Sequence, residues 1–356
     1  MQAVQHDDKK SGDISARLLA HYDMHARALP WRMARNDGLP DPYHVWLSEI
    51  MLQQTTVTAV IPYFERFKAH WPNFAALAAA EDADVMAAWA GLGYYARARN
   101  LLKCARVVAA EYGGQLPNTE ALLLKLPGIG PYTAAAIAAI AFGQRAVVVD
   151  ANVERVVARL FAIGEPLPAA KAAIYAATGV ITPDVRSGDF AQAMMDLGAG
   201  ICSVRSPSCG VCPIRLHCSA YQNDDAISYP VKAAKKAKPT RHGTAYWIQK
   251  EDCVWLIQRG GTGMLAGMRA LPDDGWAVQR DGDRIAPFAA DWRLLDRVVQ
   301  HSFTHFHLEM QIAVTEVKGI EVMLESGAYW PLKTLDNAGL PTLFSKAARA
   351  VLADRN

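Results

Sequence analysis

The string Leu126-Pro127-Gly128-Ile129-Gly130-Pro131 narrows what this chain can fold into more than any other stretch. Two glycines one residue apart, just before an alanine-rich run, let the backbone take positive φ and turn N–H groups outward at a helix start. Such a start is a seat for a phosphate. Thr133 to Ala141 is almost all small residues, so the helix can lie close against a neighbour, and Val147-Val148-Val149-Asp150 then carries the chain to a carboxylate. Two buried helices joined by a glycine turn, with Asp150 as an ordinary N-cap, would explain the same local pattern.

At 356 residues two domains are expected, each large enough for a core of its own. A formal charge of +2 permits nucleic-acid binding without demanding it. The N-terminal residues lack an apolar signal region, and the run from Ala134 to Phe142 is too short to span a bilayer. A soluble, cytoplasmic protein is therefore expected, and its six cysteines point to ligands or buried thiols instead of disulfides.

Helical spacing runs from residue 14 to 29 and ends at Leu29-Pro30-Trp31-Arg32, because Pro30 forces the preceding residue into an extended conformation. Asp41 and Pro42 read as N-cap and first residue of a helix continuing through residue 60. Glu49 lies inside it among Trp46, Leu47, Ile50, Met51 and Leu52. A carboxyl among apolar groups has its charged form disfavoured, so Glu49 is a candidate proton donor near neutral pH, or else an exposed or paired residue. Further helices are expected near 73–80, 82–90, 151–163 and 190–198. Between them, Gly91-Leu92-Gly93-Tyr94-Tyr95-Ala96-Arg97-Ala98-Arg99 suits aromatic insertion between bases with arginines on phosphates, or simply a helix start with buried tyrosines.

Cys202, Cys209, Cys212 and Cys218 have the spacing C-x6-C-x2-C-x5-C, four thiols within 17 residues. Zinc and a cubane iron–sulfur cluster are the two serious occupants, and the unequal flanks favour iron–sulfur over paired zinc knuckles. Arg205, Arg215 and His217 lie among these ligands, within reach of phosphates. From 226 to 241 the composition turns basic and Pro-bounded, a linker expected to touch DNA. Strands follow at 244–249 and 253–258 as a hairpin, then at 310–317 and 320–324, with a closing helix at 344–353.

LPWR, WLSEIMLQQT, IPYFERF, GLGYYARARNL, LPGIGPYTA, VDANVERV, QAMMDLG, the four-cysteine loop and HSFTHFHLEM occur in an order that resembles the adenine DNA glycosylase family across nearly the whole chain. The resemblance implies a mainly α helix-hairpin-helix glycosylase domain over 1–225, with an iron–sulfur cluster loop at 202–218. It also implies a 226–241 linker and an α+β Nudix-like domain over 242–356 that recognises 8-oxoguanine. Carried onto matching positions, Glu49 would protonate adenine at N7, Asp150 would stabilise the sugar cation, and Tyr132 would hydrogen-bond Asp150. Arg27, Trp31, Arg32, Leu52 and Gln192 would line the pocket for a flipped base, and Gln54 and Tyr94 would wedge the vacated stack. Gly128 and Gly130 would grip a phosphate.

Phe303-Thr304-His305 matches a loop that senses 8-oxoguanine, with threonine where the family usually has serine. The five glutamates of this half (251, 309, 316, 321 and 325) are scattered, so the Nudix-like domain should bind and not hydrolyse. The implied cofactor is one 4Fe–4S cluster on Cys202, Cys209, Cys212 and Cys218. The implied partner is double-stranded DNA with A:8-oxoguanine or A:G mispairs, met by a monomer. Two rivals stand beside this reading: an endonuclease III-like glycosylase/lyase, which would need lysine at Tyr132, and a non-enzymatic iron–sulfur protein that scans DNA.

Overall fold

In the computed structural model, residues 8–33, 38–233, 237–260, 264–265, 267–317 and 327–354 are described. The chain divides into two compact units, Met1–Ala234 and Lys235–Asn356, the boundary falling inside the basic 226–241 stretch. Lys235, Lys236, Glu321, Glu325 and the strand expected at 320–324 lie outside the described residues. Among the described residues no helix is long and apolar enough to cross a membrane.

The first unit is helical: α1 (Asp8–His25), α2 (Pro42–Leu52), α3 (Val57–His70), α4 (Phe74–Ala78), α5 (Asp82–Trp89), α6 (Ala96–Glu111), α7 (Glu120–Leu123), α8 (Pro131–Phe142), α9 (Ala151–Leu160), α10 (Lys171–Ile181), α11 (Ser187–Asp196) and α12 (Ser219–Gln222). The Asp41 side chain accepts from Tyr43 N at 2.8 Å, so α2 starts where the Asp-Pro pair placed it. The single helix expected through residue 60 is broken, however. Gln54 adopts φ +59 and Thr56 caps a new helix, α3.

The cause lies in α6. Arg97 Nη1 donates to Ile50 O (3.2 Å) and Met51 O (2.7 Å), the carbonyls that residues 54 and 55 would need to continue the helix. Likewise α1 ends at His25, short of the expected residue 29.

Two cores fill this unit. One gathers Trp46, Leu47, Phe64, Phe67, Trp89, Leu101 and the alanines of α8; the other gathers Ile14, Leu18, Val153, Val157, Ile174, Phe190 and Ile214. Met195 packs against both. α8 is buried along one continuous run from Thr133 to Ala141, as its small residues allow. Gly128, at φ +77, turns the α7–α8 hairpin, and any Cβ there would meet Asn100 Cβ at 2.8 Å. α11 runs on as a π-helical turn, Leu197–Ile201, that delivers Cys202.

The second unit holds β1 (Thr240–Lys250), β2 (Cys253–Gln258), β3 (Arg269–Ala270), β4 (Arg293–Leu294), β5 (Val299–Ser302), β6 (His307–Glu316) and β7 (Gly327–Pro331), and ends in α13 (Thr342–Ala353). The sheet order is β3-β2-β1-β6-β4, with β5 also on β6 and β7 on β2. The β1–β2 hairpin turns at Glu251, which takes φ +51. β1 and β6 are parallel, from Thr240 opposite His307 to Gln249 opposite Glu316. One core of Trp247, Leu256, Phe306, Met310 and Ile312 is closed by Phe344 and Val351 of α13.

Candidate active site

α2 carries Glu49 into the interior, where only 7% of it remains exposed. Arg27, Trp31, Arg32, Leu52 and Gln192, all expected from the sequence, line one cleft with it, together with Leu29, Val45, Ser48, Val57, Ile140 and Met195. Trp31 is fixed edge-on to Phe64, ring centroids 5.3 Å apart. The cleft is thus apolar on most sides and charged on one.

Burial pushes the Glu49 carboxyl from its ordinary range up to about 7. The Tyr132 hydroxyl opposes the rise, the negative charge of Asp150 adds to it, and the positive charge of Arg32 lowers it. Tyr132 itself is raised well above the usual phenol range by burial and by the carboxyls of Glu49 and Asp150. It is therefore a neutral hydroxyl at physiological pH.

Tyr132 was expected to bond Asp150, yet its hydroxyl is directed at Met195 Sδ, 3.9 Å away, with Glu49 and Asp150 near enough to act on it. Asp150 serves the first turn of α9 instead. Oδ1 accepts from the backbone N–H of Asn152 (2.9 Å) and Val153 (2.7 Å) as N-cap of α9, and Oδ2 accepts from Asn152 Nδ2 at 2.9 Å. Asn152 in turn packs against Gly198, where a Cβ would come within 2.6 Å of Asn152 Cβ. Asp150 is thus the N-cap of α9, and its charge also reaches Glu49 and Tyr132.

Gln54 and Tyr94 are exposed, Tyr94 by 57%, and both are non-glycine residues at positive φ, +59 and +50. Such strain persists only where the surroundings impose it, and it concentrates at functional sites. Arg97 imposes it here. Besides the α2 carbonyls, its Nη2 donates to Thr55 Oγ1 (3.0 Å), Leu92 O (3.1 Å) and Gly93 O (3.2 Å), tying the two loops together. The reading of Arg97 as a phosphate contact is thereby corrected, since it is 8% exposed and committed to the protein's own backbone. Gly128 and Gly130 are exposed at the start of α8, which has Pro131 at its first position.

Sequence reasoning missed Asp196, Met195 and Asn152. The first two lay in QAMMDLG and the third in VDANVERV, strings recognised as wholes without a role for each residue. Asp196 binds both cleft arginines, Arg32 at 2.7 Å and Arg27 at 2.5 Å.

Cys202, Cys209, Cys212 and Cys218 are free thiols lining one cleft with Arg159, Ile201, Pro207, Arg215 and Tyr221. Among the described residues no preformed group of three or more His, Cys, Asp or Glu stands at metal-binding distances. The donor set still fits a sulfur-ligated cluster. Arg159, buried to 2%, donates from Nη1 to Cys202 Sγ at 3.2 Å and to Ser203 O at 2.7 Å, so a cation already faces a thiol sulfur. His217, expected near phosphates, instead meets Asp13 of α1 at 2.6 Å, and Arg215 bonds Gly210 O.

In the second unit Phe303, Thr304 and His305 form the turn between β5 and β6, closed by Phe303 N donating to Phe306 O at 2.9 Å. Phe303 stacks on Phe306 (4.9 Å), which leaves Thr304 and His305 exposed at the tip, and Lys238 Nζ donates to Phe303 O at 2.9 Å.

Residues 47–177 match the family described as HhH-GPD superfamily base excision DNA repair protein, and residues 243–350 match the NUDIX domain. The human protein named adenine DNA glycosylase is 33% identical over 85% of this chain and 66% of its own length. The protein of that name from Mycolicibacterium smegmatis is 42% identical over 56% of this chain and 67% of its own. That from Buchnera aphidicola subsp. Baizongia pistaciae is 34% identical over 69% of each. The chain spans about two thirds of the human relative and 42% of the mouse one. A solved thermostable thymine-DNA glycosylase aligns at TM-score 0.55 and 32% identity, over 60% of this chain and 98% of that one. An endonuclease III–DNA complex aligns at TM-score 0.50 and 24% identity, over 60% and 97%, a likeness of fold.

Proposed function

The chain belongs to the adenine DNA glycosylase family of the HhH-GPD superfamily, and from that membership we propose that it excises adenine mispaired with 8-oxoguanine or guanine in double-stranded DNA. One observation carries the reading. A carboxyl buried beside a cleft lined by Trp31, Leu52 and Gln192 is held up to about 7, so at neutral pH much of it is a proton donor, with Asp150 nearby.

The target adenine leaves the stack at a cost of a few kcal/mol. Gln54 and Tyr94, held out from their loops, fill the place it vacates, and Arg27, Trp31, Arg32, Leu52 and Gln192 receive it. Glu49 gives its proton to N7, so that when the C1′–N9 bond breaks the electron pair leaves on a neutral adenine. Asp150, fixed by the first turn of α9, faces the positive charge that develops at C1′. Water then adds its oxygen to C1′ and releases a proton that re-protonates Glu49. Tyr132 offers a hydroxyl, not an amine, so no Schiff base forms at its position, which disfavours the lyase rival.

Single-turnover excision from duplexes holding A:8-oxoguanine, A:G and T:G tests the reading. Release of the mispaired adenine from the first two, and no thymine release from the third, is the expected pattern. Thr304 and His305 are the groups proposed to read the oxidised base opposite. Removal of residues 235–356 should leave adenine excision in place but lower the preference for A:8-oxoguanine over A:G. A base-edge contact is worth about 1–3 kcal/mol, so the preference should fall by roughly 5- to 150-fold. An undiminished preference would place the reading of 8-oxoguanine in the first unit.

Cys202, Cys209, Cys212 and Cys218 would hold one 4Fe–4S cluster, with Arg159 donating to a ligand sulfur. When bound, the cluster supplies a covalent clamp on the 202–218 loop. Anaerobically purified protein is expected to be brown, with about four iron and four sulfide per chain. Cys212→Ser should lose both together with the colour, and stoichiometric zinc without iron in the native protein would overturn the assignment.

A further inference from the structure

Two arginines share the cleft with the acid that must stay protonated. The Arg32 side chain is only 8% exposed, and an unpaired guanidinium in such surroundings would draw the Glu49 carboxyl into its ionised form. Neither arginine is unpaired. Asp196, the last residue of α11, takes Arg32 in a two-pronged bridge, Nη1 to Oδ2 at 2.7 Å and Nη2 to Oδ1 at 3.0 Å. It takes Arg27 as well, through Nε to Oδ1 at 2.5 Å and through the backbone N–H to Oδ2 at 3.2 Å. Both carboxylate oxygens are thus used twice, and the Asp196 side chain is 13% exposed.

We propose that Asp196 is a positioning residue that withholds the Arg32 guanidinium from Glu49 and so keeps Glu49 able to give a proton. This rests on the role assigned to Glu49 above. Among the described residues, three titratable or charged groups act on Glu49. Tyr132 reaches it from α8, Asp150 from the start of α9, and Arg32 from the segment after α1. From α6, Arg97 spends its guanidinium on the carbonyls at the end of α2, and α3 brings only Val57 to the cleft. On α2 itself His44 lies edge-on to Phe64. Arg32 is therefore the one cation in this set that acts on Glu49. Although burial raises the Asp196 carboxyl, the hydrogen bonds and charges of Arg32 and Arg27 hold it below its ordinary range, so the clamp stays ionised throughout the working pH range.

The test is the pH dependence of single-turnover adenine excision by the full chain, compared among wild type, Asp196→Asn and Asp196→Glu. Wild-type excision should fall above about pH 7. In Asp196→Asn the falling limb should move down by about one pH unit or more, which lowers the rate at pH 8 by about tenfold or more while the rate at low pH stays within a few-fold. Asp196→Glu should restore the midpoint. A rate lowered equally at every pH, with the midpoint unmoved, would mean a purely structural role and overturns the proposal.

If Asp196→Asn does not fold, Arg32→Met reads the same coupling, because removing the cation should move the midpoint up; a fixed midpoint again overturns it. A carbon-13 NMR titration of the Glu49 carboxyl, assigned with Glu49→Gln, follows the midpoint without any chemistry. Wild type that excises no adenine therefore defeats the functional reading alone, while an unshifted carboxyl in the variants defeats the role of Asp196.

Discussion

Glu49→Gln is expected to bind mismatched duplex as tightly as wild type and to excise adenine at least about 10²- to 10⁴-fold more slowly, the usual contribution of a positioned general acid. The amide keeps the shape of the carboxyl and so preserves its place in the cleft with Trp31, Val45, Leu52 and Ile140, but it has no acidic proton to give. Two pH signatures accompany the loss. Wild-type single-turnover rates should be level below about pH 7 and fall tenfold per unit above it, whereas residual Gln activity should lack that limb.

Stability should move in the opposite direction. The folded-state carboxyl is raised from 4.5 to about 7, so between those values the unfolded chain gives up its proton first and wild type loses stability as pH rises. Over the whole window this amounts to about 3 kcal/mol. Glu49→Gln escapes the penalty. Its Tm should therefore exceed that of wild type at pH 8 and approach it at pH 4.5. A wild-type midpoint near the ordinary carboxylate value, in rates or in Tm, would sink the assignment of Glu49 as the acid.

The second large effect separates two roles of one residue. Asp150 caps α9 and is also the residue proposed to face the reacting sugar. Asparagine caps a helix about as well as aspartate, so Asp150→Asn should melt within a degree or two of wild type. It should nevertheless lose about two to three orders of magnitude in excision, the scale seen when a fixed electrostatic partner of a transition state is removed. Asp150→Ala loses the cap as well and should be less stable than Asp150→Asn by about 1 kcal/mol. The pair is read by thermal unfolding and single-turnover kinetics on the same preparations. Retained activity in Asp150→Asn would reduce Asp150 to a cap and nothing more.

Much of the site was legible in the chain because its signals are local. Asp41-Pro42 starts α2, Gly130-Pro131 starts α8 and Asp150 starts α9 through forces that act between residues two to four apart. The β-type runs of β1 and β2 and the four-cysteine spacing are of the same kind. The sequence therefore determined which elements form, and which carboxyls and thiols lie beside them.

What the tertiary structure alone decided is everything that depends on partners far along the chain. The break after Leu52 could not be read from a run that looks helical through residue 60, because the donor that takes its carbonyls, Arg97, is 46 residues beyond Met51. The Tyr132 hydroxyl is directed at Met195 Sδ, 63 residues away, with Glu49 close by, while the Asp150 carboxylate serves the first turn of α9. Asp196 pairs with Arg32 across 164 residues, and β1 joins β6 in parallel without any local mark. The same holds for the proton on Glu49. A carboxyl stays neutral at pH 7 only where the surrounding elements exclude water and fix the nearby charges, and that exclusion belongs to the packed fold, not to the residue or its neighbours in sequence.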